Sequence, residues 1–167
     1  MHNKTIKIAL VGQPNVGKSM LINSISNARL RVGNFSGVTV AKEEVFLKYK
    51  DYQIQITDLP GAYSLNDYTL EEKVTKEFLD KEDYDIILNV LDSTNLQRNL
   101  LLTSELLALD KKMIIALNMS DEAQKESIII DEIQLSRILG KPCIKTSAAK
   151  KIGITKLLDE IVTKFES

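Results

Sequence analysis

Gly12-Gln13-Pro14-Asn15-Val16-Gly17-Lys18-Ser19 stands between two stretches of different rhythm. Before it, Ile6–Val11 is a largely apolar run, the pattern of a strand buried on both faces. After it, Leu21, Ile22 and Ile25 recur at helical spacing within Ser19–Asn27. A glycine-bracketed loop from a buried strand into a helix converges backbone N–H groups on a small volume, at the favourable end of the helix dipole. A polyphosphate needs that convergence. The stretch fits G-x-x-x-x-G-K-[ST], a pattern expected by chance in under about one chain in a hundred of this length. In it, Lys18 bridges β- and γ-phosphate oxygens and the Ser19 hydroxyl binds Mg²⁺.

Working outward, Asp85–Leu91, Met113–Leu117 and Cys143–Thr146 read as further strands. Val45–Tyr49 and Tyr52–Thr57 form a hairpin across Lys50-Asp51. Thr69-Leu70-Glu71-Glu72 is a capping box that opens a helix to about Leu79, with Glu72 and Lys76 on its solvated face. Thr94-x-x-Gln97 starts the next helix, through Leu109. Asp131–Leu139 is helical and stops at Gly140 before Pro142, and Ile154, Leu157, Leu158, Ile161, Val162 and Phe165 mark a final amphipathic helix. Residues 28–39 and 58–68 read as loops. Solid apolar strands alternating with helices predict an α/β domain over residues 1–167, its mostly parallel sheet covered on both faces. Ligands of such sheets bind beyond the carboxyl ends of the strands.

The whole chain has 167 residues, 44% apolar and 27% charged, with 22 Lys+Arg against 23 Asp+Glu. That is ordinary for a globular domain, and the balanced charge argues against a dedicated nucleic-acid binder. No apolar run approaches the length of a membrane span, and Met1-His2-Asn3-Lys4-Thr5 does not open a secretory signal. One Cys and one His leave a Cys/His zinc site without ligands and a Ser-His-Asp triad dependent on terminal His2. Cys143 reads as core packing.

Other motifs fall at strand ends. Asp58-Leu59-Pro60-Gly61 follows Tyr52–Thr57; the Asp can hold Mg²⁺ through water, and the Gly N–H can meet a γ-phosphate, although D-x-x-G is also a plain turn. Asn118-Met119-Ser120-Asp121 ends Met113–Leu117. A carboxylate there accepts from both N1–H and the 2-amino group of guanine, a donor pair adenine lacks. Taken singly, Asn118 reads equally as a turn residue and Asp121 as a helix cap. Thr146-Ser147-Ala148-Ala149-Lys150 offers backbone N–H groups to guanine O6.

In this order the motifs resemble the Ras-like GTPases, P-loop NTPases whose G domain has a six-stranded, mostly parallel sheet with one antiparallel strand and five helices. The resemblance covers essentially the whole chain. It makes residues 28–41 and 58–68 the two switches, with Thr39 closing on Mg²⁺ beside Ser19 and Asp58. More narrowly, Gly33-Asn34-Phe35-Ser36-Gly37-Val38-Thr39-Val40, Asp58-Leu59-Pro60-Gly61-Ala62-Tyr63-Ser64-Leu65 and Asp92-Ser93-Thr94-Asn95-Leu96-Gln97-Arg98-Asn99-Leu100 resemble FeoB, the bacterial ferrous-iron transporter with an N-terminal G domain. Met119, where Ras-like proteins usually have Lys, fits that narrower family.

The resemblance implies GTP/GDP contacts from Gly12 through Met20, at Gly33, Phe35, Val38 and Thr39, at Asp58 and Gly61, at Asn118, Met119 and Asp121, and at Ser147 and Ala148. It gives catalytic roles to Asn15, Lys18, Thr39 and Gly61. Asn15 would hold K⁺, with the carbonyls of Gly33 and Phe35 completing the shell; turn preference alone also suits Asn15. Ala62 stands where Ras-like enzymes place a water-orienting Gln, which predicts slow unassisted hydrolysis. Met119 predicts weak nucleotide affinity and fast GDP release. Arg98 reads as a supporting residue rather than an arginine finger.

The function implied is a Mg²⁺-dependent, K⁺-stimulated GTPase domain regulating ferrous-iron uptake at the cytoplasmic face of the bacterial inner membrane. In that reading the chain is an N-terminal piece of a larger protein with a helical regulatory bundle and a membrane permease, and self-association stays open. Two alternatives remain at this point: an Era- or EngA-type ribosome or RNA assembly GTPase, and a module that signals by nucleotide occupancy without turnover.

Overall fold

The computed structural model of the protein describes residues 4–25, 27–66 and 68–167, so His2, Ser26 and Asp67 of the expectations above lie outside the described residues. The elements are β1 (Lys4–Gly12), α1 (Lys18–Asn23), β2 (Arg29–Asn34), β3 (Ala41–Tyr49), β4 (Tyr52–Asp58), α2 (Leu70–Lys81), β5 (Ile86–Asp92), α3 (Leu96–Leu107), β6 (Met113–Asn118), α4 (Ser120–Lys125), α5 (Glu132–Leu139), β7 (Cys143–Lys145) and α6 (Ile154–Glu166).

The strands form one sheet in the order β2-β3-β4-β1-β5-β6-β7. Only β3 opposes its neighbours, β2 and β4; every other pairing is parallel. Strand side chains alternate between two cores. Ile6, Ile8 and Leu10 face α1 and α6 (Leu21, Ile22, Leu157, Ile161), while Ala9 and Val11 face α2 and α3 (Val74, Leu79, Leu102, Leu106). Full burial of each such Leu or Ile stabilises the fold by about 1.5–3 kcal/mol relative to exposure.

The register positions the site. Leu10 is level with Asp58, Gly12 with Val90, Asp92 with Asn118, and Leu117 with Lys145. The carboxyl ends of five strands therefore meet along one edge. The chain leaves β1 toward β2, β3 and β4 on one side of it and then crosses from β4 to β5 on the other, which opens a crevice at the end of β1.

The α/β G-domain architecture and its single reversed strand agree with the sequence. The counts do not: the described residues form seven strands and six helices instead of six and five. Arg29–Asn34, expected to be loop, pairs with β3 as an edge strand with every residue exposed. The extra helix is α4, with Ala123 as its one buried residue. The first helix ends at Asn23 rather than Asn27; the Ser24 hydroxyl donates back to Leu21 O at 2.6 Å. Thr69 caps α2 as expected, its hydroxyl accepting from Glu72 N–H at 3.0 Å. Glu72, however, is buried rather than on a solvated face. Thr94 does not cap α3, because its hydroxyl donates to Asp92 Oδ1 at 2.6 Å.

Glu44 of β3 ties β2 down. Its Oε1 accepts from Arg31 Nη2 at 2.6 Å and its Oε2 from Gln55 Nε2 at 2.8 Å. Burial pushes the Glu44 carboxyl up, but the Arg31 and Gln55 hydrogen bonds and the charge of Lys42 outweigh it and hold the group below its ordinary 4.5. A depressed carboxylate contributes stability above its unfolded value and loses it as pH falls through the folded one. Glu44→Gln should therefore lower stability by about 1 kcal/mol at pH 7. Urea midpoints should show that deficit shrinking at acid pH; an equal deficit at both pH values would contradict the role.

Candidate functional site

A cavity of about 800 Å³ opens at the crevice, walled by Pro14–Met20, Asp58–Gly61, Met119 and several other residues. Two residues of the loop entering α1 take left-handed backbone, Asn15 at φ 68° and Gly17 at φ 84°. Gly17 is required twice over: a Cβ there would also lie 2.6 Å from Asn118 Nδ2.

Asn118 is buried, and its amide donates to Val16 O at 2.9 Å while its Oδ1 accepts from the Thr146 hydroxyl at 3.1 Å. It braces the phosphate loop against the loop that follows β7. Gln13 is also turned away from the cavity: it is 3% exposed and donates to Arg98 O at 2.7 Å.

Lys18 Nζ lies 3.1 Å from Asp58 Oδ1 and 2.6 Å from Leu59 O. A cation, a carboxylate and the Ser19 hydroxyl thus share one wall. The residues fit both implied groups. Loop amides and Lys18 suit phosphate oxygens, and Ser19 and Asp58 supply the hard oxygen ligands Mg²⁺ takes. Thr39 is not with them. It is exposed, and only its neighbours Val40 and Ala41 reach the cavity wall. Among the described residues no group of three or more His, Cys, Asp or Glu could hold a metal ion by itself.

The other expected K⁺ ligands, Gly33 and Phe35, lie in and just after β2. Gly33 sits in β2 opposite Lys42. The Phe35 N–H donates to Val40 O at 3.0 Å, and its carbonyl accepts from Val38 N–H at 3.2 Å. The Phe35 ring is buried, edge-on to Phe78 at 6.2 Å, and Val38 packs against the same core. In the second switch, a Cβ on Gly61 would come within 3.0 Å of the Pro14 backbone. The Ala62 N–H donates to Gly12 O at 3.1 Å, and its methyl is buried.

At the base end, Met119 has left-handed backbone at φ 59° and its Cε lies near Gly17. The Ser147 hydroxyl beside Asp121 holds that carboxyl below the usual carboxylate range, so the group is an ionised acceptor at neutral pH. Ser147 is fixed in turn: its N–H donates to Ile152 O at 3.0 Å and its Oγ accepts from Lys150 N–H at 3.1 Å. Ala148 packs on the first core.

Asn89 and Thr103, which the sequence did not single out, support the site. Asn89 donates to Val11 O and accepts from the Thr103 hydroxyl at 2.7 Å, linking β1 to α3 beneath the loop. The Arg98 guanidinium lies 5.8 Å from the Tyr63 ring centre. Burial pushes the Cys143 thiol up to about 11, in keeping with core packing.

A family model described as ferrous iron transport protein B matches residues 6–161. The Fe(2+) transporter FeoB of Helicobacter pylori strain 26695 is 63% identical over 165 residues, which are 97% of this chain and 26% of that protein. The cytosolic domain of the T. maritima FeoB iron transporter in GDP form I matches with a TM-score of 0.95 at 38% identity, covering 100% of this chain and 66% of that one. Its GMPPNP form matches at 0.94 and 40% identity, covering 97% and 64%. The chain spans between 20 and 27% of the length of the curated relatives it matches.

Proposed function

This chain belongs to the ferrous iron transport protein B (FeoB) family, and we propose on that footing that it binds guanine nucleotide and slowly hydrolyses GTP to GDP and phosphate. The observation that carries this is the shared wall of Lys18, Ser19 and Asp58 on the crevice cavity, with ionised Asp121 in the first turn of α4, just beyond the end of β6. The relatives described in GDP and GMPPNP forms support the choice of nucleotide.

The loop N–H groups and Lys18 take the β- and γ-phosphates, Ser19 and Asp58 hold Mg²⁺, and Asp121 selects guanine. Asn118 braces the phosphate loop and joins Asp121 in contacting the base. Bound Mg²⁺ would neutralise charge on the phosphate oxygens. Thr39 reaches the metal only if the first switch closes, since it is exposed here. With the Ala62 side chain buried, backbone groups of Gly61 and Ala62 replace a water-orienting side chain, and turnover is slow. Met119 lends less base contact than a Lys would, so affinity is modest and GDP leaves quickly.

K⁺ would add positive charge where the transition state gathers negative charge. Asn15 would supply its side-chain oxygen, joined by the carbonyls of Gly33 and Phe35, the latter of which accepts here from Val38 N–H. Multiple-turnover GTP hydrolysis should run at least about tenfold faster in KCl than in NaCl, and Asn15→Ala should erase the difference. Turnover indifferent to both would refute the K⁺ role, and absence of turnover in either salt would favour an occupancy module.

In the whole protein, this domain would regulate ferrous-iron uptake from the cytoplasmic face of the inner membrane, through a helical bundle and a permease encoded elsewhere in the parent. Among the described residues no helix is long and apolar enough to cross a membrane. No nucleic-acid partner is proposed.

A further inference from the structure

We propose that Glu105 of α3, together with Glu72 of α2, is a positioning residue for GTP hydrolysis: the two carboxylates grip consecutive amides of the second switch and so set where the backbone of Gly61 and Ala62 lies. This rests on the GTPase reading above.

Residues 60–65 form no regular secondary structure, yet nearly all of them are held from outside. The Leu65 N–H donates to Glu105 Oε2 at 2.7 Å, and the Ser64 N–H and hydroxyl each donate to Glu72 Oε2 at 3.2 Å. Pro60 O accepts from the Thr75 hydroxyl at 3.0 Å, and Ala62 N–H donates to Gly12 O at 3.1 Å. The Leu65–Glu105 bond is the shortest of the set, and Glu72 holds both polar groups of Ser64.

The chemistry makes such a grip necessary. An enzyme with a water-orienting side chain tolerates some play in its switch backbone, because the side chain adjusts. Here position 62 is a buried Ala whose N–H is held by Gly12 O, so within the second switch it is the Gly61 N–H and the neighbouring carbonyls that are left to face the reacting phosphate. Their placement is fixed by what restrains residues 60–65, and a misplacement of about 1 Å can cost 10²-fold. Glu105 reaches the switch from α3, whose Arg98 carbonyl also anchors Gln13 of the phosphate loop. One helix thereby sets the spacing between phosphate loop and switch.

The test compares wild type, Glu105→Ala and Glu105→Gln in steady-state GTP hydrolysis, with a fluorescent GDP analogue for affinity. Ala sustains α3, and Gln keeps an oxygen that accepts from Leu65 N–H. Glu105→Ala should lower kcat about tenfold or more. KM for GTP and GDP affinity should stay within about twofold, and Glu105→Gln should recover most of kcat. A kcat that is unchanged or raised in Glu105→Ala would overturn the inference. So would a loss matched by GDP affinity, or one that Gln does not rescue. A wild type without turnover would instead overturn the GTPase reading beneath it.

Discussion

Lys18→Ala should lower kcat/KM for GTP by about 10²–10³-fold, the usual cost of deleting one charged group aimed at developing phosphate charge. The structure gives a reason for the upper part of that range. Lys18 is one-tenth exposed, and its ammonium is the partner of both Asp58 Oδ1 and Leu59 O. Its removal takes a cation from the phosphates and also leaves the Asp58 carboxylate without that partner at the strand end where Mg²⁺ is to be held. An unpaired, mostly buried carboxylate raises the cost of gathering more negative charge beside it. The fold should survive, because the side chain lies on the cavity wall and not in either hydrophobic core. Phosphate release from GTP, measured with a melting curve for each protein, checks this. A variant that retains a tenth or more of wild-type kcat/KM would mean that Lys18 serves Asp58 alone.

Asp121→Asn should exchange base preference, lowering GDP affinity by about 10³-fold or more while xanthosine diphosphate becomes the better ligand. Ionised Asp121 accepts from the N1–H and 2-amino donors of guanine. An Asn amide presents a donor where the 2-amino group stood, which suits the 2-oxo group of xanthine and leaves guanine with clashing donors. The Ser147 hydroxyl that now holds the Asp121 carboxyl low can bond an Asn carbonyl as well, so the side chain should keep its place. Competition between GDP and xanthosine diphosphate for the fluorescent analogue reads this directly. Unchanged preference for GDP would remove Asp121 from base recognition.

Much of this was legible in the amino-acid order because the informative residues answer to local rules. Gly17 must adopt φ 84° against a buried Asn118 amide, and solid apolar strands such as Ile86–Asp92 can only be interior. Asp58, Asn118 and Ser147 fall at strand ends because the parallel register brings those ends to one edge.

What escaped were features made by partners far away in the chain. β2 exposes every residue, so it has no buried face to announce it, and it exists through its pairing with β3 and the Arg31–Glu44 bond. α4 is six residues with one buried side chain, too short for a period to register. Thr94 and Glu72 have the spacing of helix-capping residues, but Asp92 competes for the first and Ser64 adds a second task to the other. Glu105 looks like an ordinary helix-surface charge until the fold brings Leu65 to it across 40 residues. The residues the resemblance gave to K⁺ differ in the same way. Asn15 belongs to the loop and is where the motif puts it, whereas Gly33 and Phe35 depend on how the first switch is paired.

The most direct measurement is inorganic phosphate release by the purified chain with Mg²⁺ and KCl, at saturating GTP and, separately, at saturating ATP. Slow, sustained release from GTP and none above background from ATP is expected. Equal release from both nucleotides, or no release from GTP, would contradict a guanine-specific hydrolase built on Lys18, Asp58 and Asp121.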